Sequence, residues 1–150
     1  MRKVYISILT VLAFLAVSPG SMAIDHPGIT RPVKSVSDFV LIEDGKPVPI
    51  IVSSTDDTAV LRAAANLQND FFMVCGTRPE IRESAETDRA VIAGSLSSDI
   101  IKSMIADNLI DVRDLEGYRE KYVIRFVKNP VEGVGEALVI VGSDRRGAVY

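Results

Sequence analysis

The segment Gly142–Gly147 carries the residue types most capable of chemistry, reading Gly-Ser-Asp-Arg-Arg-Gly. It follows an apolar run and precedes a short helix-like stretch, so its backbone N–H groups could hold an anion. Arg145 or Arg146 could also bind a carboxylate through two parallel hydrogen bonds. The segment is not a phosphate-binding P-loop, because the lysine of that motif is missing. Ser143, Asp144 and Arg145 are therefore the candidate substrate-binding residues.

The same segment also has a purely structural interpretation. Asp144 would cap the helix that begins beside it, and the glycines would permit close packing. The arginines would then lie on the surface without a ligand. The sequence leaves both interpretations open.

Other candidate nucleophiles and ligands are scarce. His26 is the only histidine and lies in a segment without periodicity, beside Pro27, where the fixed geometry of a catalytic triad is not expected. Cys75 is the only cysteine, and it ends an apolar helix pattern, so we expect it to pack in the core. One histidine and one distant cysteine form no zinc-type cluster. We therefore expect no metal site and no cofactor.

Three close pairs of acidic residues could resemble the carboxylates of a hydrolase. They are Asp56 with Asp57, Glu83 with Glu86, and Asp111 with Asp114. Glycoside hydrolysis uses two carboxylates roughly 5–10 Å apart across the scissile bond. Such sequence neighbours are usually solvated or cap helices, and nothing around them indicates the burial that tunes a catalytic acid. The sequence therefore assigns no catalytic residue.

Two amphipathic helices are predicted, and a third begins at residues 145–150. The first follows the N-cap oxygens of 55–57 and ends before Gly76. Its apolar face recurs at helical spacing and comprises Val60, Ala64, Leu67, Phe71 and Val74. The second is capped by Ser97 or Ser98, runs to about Asn108, and has Ile100, Ile101, Met104 and Ile105 on its apolar face.

Short apolar runs predict strands at residues 39–42, 48–52, 80–82, 90–94, 122–127 and 137–141. The first two would form a hairpin, in which Pro47 and Pro49 suit an edge strand. Residues 90–94 are apolar throughout, as in a strand covered on both faces, whereas 109–119 are polar and irregular. Strands mixed with two or three helices indicate an α/β (α+β) fold, a mixed sheet with the helices packed on it.

The N-terminus is typical of an exported protein. Arg2 and Lys3 precede an uncharged apolar run, and Ser21-Met22-Ala23 supplies the small residues of a cleavage site. We expect a signal peptide over 1–23, a flexible lead-in over 24–35, and one domain over 36–150. The mature protein would be periplasmic or secreted in a bacterium.

Charge excludes two classes of partner. Removing the signal peptide takes two of the 17 basic residues and none of the 20 acidic ones, so the net charge falls from −3 to −5. An acidic chain is poorly suited to nucleic acid or an anionic membrane surface. We therefore expect neither as a partner after signal cleavage.

Residues 136–150 resemble the N-terminal region of glycoside hydrolase family 115, the xylan α-1,2-glucuronidases, in which a strand leads to a G-S-D-[KR]-R-G-[TA]-x-Y segment. Three further stretches are similar and occur in the same order, namely 63–79, 91–96 and 122–124. The resemblance covers about residues 36–150. It implies an N-terminal accessory domain like that of hexosaminidases and α-glucuronidases, truncated before the catalytic barrel.

The resemblance also implies a function for the whole enzyme. Family members release glucuronic acid or its 4-O-methyl ether from xylan, with inversion, and their catalytic carboxylates belong mostly to the barrel and later regions. None of those positions exists in this sequence, so no catalytic residue is carried over. The implied partners are the rest of the parent enzyme and, through it, glucuronoxylan; the chain alone is expected to be inactive.

Two alternatives remain open. One is an exported domain that binds carbohydrate without hydrolysing it, although the chain has no Trp, four Tyr and five Phe for stacking on sugars. The other is the equivalent domain of a different hydrolase, such as a hexosaminidase.

Overall fold

The computed structural model describes residues 38–150. The predicted signal peptide (1–23), the lead-in (24–35) and His26 lie outside the described residues. Within them the elements are, in chain order, β1 (Ile42–Glu43), β2 (Lys46–Pro47), β3 (Ile50–Ile51), α1 (Thr58–Cys75), β4 (Ile81–Arg82), β5 (Thr87–Ser95), α2 (Asp99–Ala106), β6 (Tyr122–Lys128) and β7 (Val134–Gly142).

Five strands form one mixed sheet in the order β4-β3-β5-β7-β6. The first four in this order run parallel to their neighbours, and β6 pairs antiparallel with β7. The two helices pack on it, so the predicted α+β architecture is confirmed. Strand β5 is buried from Ala90 to Ser95, as its continuous apolar run predicts for a strand covered on both faces.

Each face of the sheet has its own core. Helix α1 packs over β3 and β5, where Ala64 and Phe71 meet Ile50 and Ala93. Helix α2 and the segment 109–119 pack on the opposite face, over β5 and β7. On the α1 face, Tyr122, Ile124 and Phe126 of β6 stay between 45% and 49% exposed.

The bounds of α1 agree with the sequence signals. Asp57 is the N-cap and accepts from the Ala59 N–H, while Gly76 ends the helix in the left-handed conformation. The predicted apolar face was wrong at Val74, which is 76% exposed. That residue lies in the last turn of α1, next to the C-terminal Cys75, and it packs on neither core.

The predicted hairpin forms from other residues. Its strands are β1 and β2, joined by a tight turn at Asp44–Gly45, where both residues have positive φ, as such turns require. Residues 48–52 instead supply β3, which lies between β4 and β5. The edge-strand position predicted for residues 48–52 was therefore wrong, because β3 pairs in parallel with β4 on one side and with β5 on the other.

Two further predictions needed correction. Residues 109–119 are irregular as predicted, yet Ile110, Val112 and Leu115 are buried and complete the core beneath α2. A third helix was predicted to begin at 145–150. Residues 144–150 instead form a single turn with helix-type hydrogen bonds from Ala148 and Tyr150.

Neither α1 nor α2 has the length and apolarity needed to cross a membrane, and no other helix occurs within 38–150.

Candidate functional site

The loops that follow β3, β5 and β7 meet at one edge of the sheet, because these parallel strands point the same way. From β3 the chain passes through α1 to β4, which lies on one side of β3. From β4 it returns to β5, which lies on the other side of β3. Strand order therefore reverses between β3 and β5. In open α/β sheets, ligands bind outside the carboxyl ends of strands at such a reversal.

Asp56 organises the middle of this edge. Its side chain is 8% exposed and accepts hydrogen bonds from the Ser95 N–H at 3.0 Å and the Ser95 hydroxyl at 2.9 Å. Ser95 and Ser97 hydroxyls also lie 2.6 Å apart. The predicted capping role was wrong for Asp56, since Asp57 alone caps α1. Sequence spacing gave no signal for this bond, which spans 39 residues.

The segment 143–147 is held by its own side chains. Asp144 accepts from the N–H groups of Gly147 at 2.8 Å and Arg146 at 3.0 Å, and these bonds, Gly147 first, lower the pKa of its carboxyl. Two of the backbone N–H groups considered for an external anion, those of Arg146 and Gly147, are thus already paired within the segment, and the N–H of Ser143 donates to the carbonyl of Lys121. The Ser143 hydroxyl accepts from the Lys121 N–H.

Close packing explains the glycine that begins this segment. A Cβ added to Gly142 would lie 2.0 Å from the backbone nitrogen of Ala148, a distance no side chain tolerates. Gly147 similarly faces the carbonyl oxygen of Lys121, 2.3 Å from an added Cβ. The tight packing considered in the structural interpretation is present.

The arginines differ in how they are held. Arg146 forms an ion pair with Glu120. One of the two guanidinium groups considered for a ligand carboxylate is therefore already paired with a carboxylate of the protein. Arg145 lies 3.8 Å from the nearest oxygen of Asp57, and its side chain is 66% exposed. Arg119 makes no hydrogen bond or ion pair with any residue of the described range 38–150.

These groups line an open depression of about 850 Å³ at the carboxyl edge. Its lining comprises Asp57, Leu96, Ser97, Arg119, Glu120, Ser143, Asp144, Arg145 and Arg146. Three carboxylates thus balance three guanidinium groups, with serine hydroxyls between them. All three candidates from the sequence (Ser143, Asp144 and Arg145) lie here; Arg119, Glu120 and Ser97 are additions that only the tertiary fold brings in.

The remaining sequence candidates lie elsewhere. Glu83 accepts from the Ser54 N–H, and Asp111 pairs with Arg113; these bonds lower the pKa of Glu83 and lower that of Asp111 to about 2. A catalytic acid needs the opposite shift. Cys75 is half-buried rather than in the core, and its thiol donates to the carbonyl of Thr77. Within residues 38–150, no three His, Cys, Asp or Glu side chains group as metal ligands.

No family model and no curated protein matches this chain. Among solved structures, it is similar to one described as a novel family GH115 4-O-methyl-alpha-glucuronidase with specificity for decorated arabinogalactans. The TM-score is 0.54 at 21% identity, over 69% of this chain and 12% of the other. The chain therefore shares the fold of a small part of that much longer protein.

Proposed function

We propose that this chain is the N-terminal accessory domain of an exported glycoside hydrolase related to family 115. The parent enzyme would remove glucuronic acid or its 4-O-methyl ether from a polysaccharide such as xylan. The observation that carries this proposal is the fold shared with part of a 4-O-methyl-alpha-glucuronidase. The ordered resemblance over residues 36–150 adds support from the sequence.

Hydrolysis is assigned to the rest of the parent enzyme. Glycoside hydrolysis requires a carboxylic acid that stays protonated until it reaches the substrate. At the carboxyl edge, the pKa of Asp144 is lowered. Asp56 accepts a hydrogen bond from Ser95, and Asp57 accepts one from the Ala59 N–H as the N-cap of α1. The hydrogen bonds of these carboxylates stabilise the loops at the carboxyl edge, which is a structural role.

Export fits the proposed substrate, because a polysaccharide lies outside the cytoplasm. The signal peptide over 1–23 would direct the protein to the periplasm or exterior of a bacterium. The single cysteine means that the domain folds without an internal disulfide and relies on its two packed sheet faces.

A measurement of glucuronate release by the purified chain tests whether hydrolysis belongs to the rest of the parent enzyme. Glucuronoxylan and a decorated arabinogalactan are incubated with it, and free uronic acid is measured. We expect no release above the level of a heat-denatured control. Turnover that depends on folded protein would contradict the accessory role.

A carbohydrate-binding domain without a parent hydrolase is the second candidate. The exposed rings of Tyr122 and Phe126 on β6 favour it, since exposed aromatics stack on sugars. Isothermal titration with xylo-oligosaccharides distinguishes it: binding through β6 would be lost in Tyr122→Ala, whereas the accessory-domain proposal requires no such binding.

A further inference from the structure

We propose that a groove between α1 and β6 binds an amphipathic α-helix of the parent enzyme, one with aliphatic side chains on one face and a basic side chain beside them. The groove has a volume of about 380 Å³. Its walls include Ala63, Leu67 and Asp70 of α1, and Tyr122, Ile124 and Ile140 of the sheet. The inference rests on the proposed function for the source of the helix.

The sheet beside the groove is apolar on both faces but is fully covered on only one. On the α2 face of β7, Ala137, Val139 and Val141 are 0% exposed. On the α1 face of the same strand, Leu138 and Ile140 are only half-buried. A strand that is apolar on both faces is typical of a sheet with a layer on each side. The α1 face of β7 therefore lacks part of its covering layer within residues 38–150.

The uncovered face continues onto β6. Ile124 lies opposite Ile140, and Phe126 lies opposite Leu138, so their side chains share the α1 face. Phe39 packs edge-on against Phe126, but no second helix covers this face within residues 38–150. Exposed apolar surface of this extent marks an interaction site.

The width of the uncovered face fits one helix. Neighbouring strands lie about 4.8 Å apart, and a helix with its side chains is about 10 Å across, so one helix covers roughly two strands. Helix α1 packs over β3 and β5, which leaves β7 and β6 for a second helix beside it. Ala63 and Ala64 lie on the flank of α1 that faces the groove, and their small side chains would allow close approach.

A single charged side chain lines the groove and selects the chemistry of the partner. Asp70 is exposed, and its carboxylate has no hydrogen-bond or ion-pair partner in the described part of the chain. The other side chains of the groove are apolar or neutral. A helix with a lysine or arginine beside its apolar face would complement both features, and such charge complementarity fixes the orientation of a partner.

A second copy of the chain fits the groove poorly. The outward side of α1 carries the exposed Arg62 and Asn69, and the apolar side of α2 is buried in the core. Neither helix therefore presents an exposed apolar stripe along its length. Strand pairing at the β6 edge is also disfavoured, because Arg125 donates to the carbonyl of Ile124 there and charged side chains protect sheet edges.

Binding of synthetic helical peptides by the full purified chain tests the groove. One peptide of about 18 residues has leucines on one face and lysines on the other, and a second has the same residues in scrambled order. We expect the amphipathic peptide to bind at least about tenfold more tightly and to shift the methyl NMR signals of Ile124 and Ile140. Equal binding of the two peptides, or shifts confined to other residues, would overturn the proposal.

Three variants locate the binding surface. Ile124→Lys should weaken binding of the amphipathic peptide at least about tenfold, because it places a charge in the apolar face. Ile81→Lys makes the same change on β4, at the opposite edge of the sheet, and should leave binding unchanged. Asp70→Asn should weaken binding about two- to fivefold. Circular dichroism establishes that each variant is folded, and a folded Ile124→Lys variant with unchanged affinity overturns the assignment.

Two further measurements identify the natural occupant. Sedimentation should show that the chain is monomeric at about 100 µM; a dimer that Ile124→Lys dissociates would make a second copy the occupant and overturn the proposal. The thiol of Ile124→Cys should react with a maleimide at least about tenfold more slowly in the parent enzyme than in the chain alone, and equal rates would contradict docking. A gene that ends at the Tyr150 codon refutes the parent enzyme as the source, and the peptide titration then decides separately whether the groove takes a helix.

Discussion

The buried carboxylate of Asp56 ties the loop after β3 to the end of β5, because it accepts from both the N–H and the hydroxyl of Ser95. The two residues are 39 positions apart. Their contact fixes the point at which strand order reverses, and it places Ser97 at the rim of the depression.

Asp56→Ala should therefore destabilise the fold. The substitution leaves the Ser95 N–H buried without its acceptor, which costs roughly 1–3 kcal/mol. Urea unfolding followed by circular dichroism measures this. Asp70→Ala, which removes an exposed carboxylate from α1, is the matched control and should change stability by less than about 0.5 kcal/mol. Equal losses in the two variants would show that the Asp56 contact contributes nothing.

Asp144 should make part of the stability pH-dependent. Its pKa is lowered in the folded protein, so its contribution is fully present above the ordinary carboxyl pKa of about 3.9 and declines as the pH falls below it. Melting temperatures measured from pH 6 down to pH 2.5 should show a gap between wild type and Asp144→Asn that narrows with acidity. A gap that widens on acidification would have the wrong sign and would contradict the assignment.

Gly142→Ala should be among the most damaging small substitutions. The added Cβ would meet the Ala148 backbone nitrogen at 2.0 Å, and overpacking against backbone costs typically 1–3 kcal/mol or more. Gly45→Ala is the control, since open space surrounds it, and its positive φ alone should cost about 1–2 kcal/mol. Thermal unfolding that ranks Gly45→Ala as the more harmful of the two would refute the close approach.

Two isoleucines in strands should respond very differently to truncation. Ile92 of β5 is 0% exposed, whereas Ile124 of β6 is 49% exposed. Ile92→Ala should cost about 2–5 kcal/mol through lost burial and a cavity, and Ile124→Ala should cost well under half of that. Comparable losses in urea unfolding would mean that the β6 face is covered in solution.

The local features of the fold could be predicted from the sequence because their causes are local. Asp57 and Gly76 mark the ends of α1, and the continuous apolar run of β5 indicates burial on both faces. The position of β3 between β4 and β5 could not be predicted, since parallel pairing depends on contacts far apart in sequence. For the same reason the burial of Ile110 and Leu115 was missed, because their segment carries no periodicity.

The candidate site was only partly predictable. The pattern at 143–147 identified a tight, charged segment, and Asp144 does bond to the backbone there. Sequence could not show that Glu120 occupies Arg146, nor that Arg119 and Ser97 share the depression with Arg145. These groups come from the loops after β5 and β7 and from the segment that precedes β6, and only the topology of the sheet brings them together.

The sequence of the gene beyond the Tyr150 codon tests the central proposal most directly. The accessory role predicts an open reading frame that continues into a catalytic (β/α)8 barrel with its own pair of carboxylates. A stop codon directly after Tyr150 in the intact gene, or a continuation without a hydrolase domain, would contradict it.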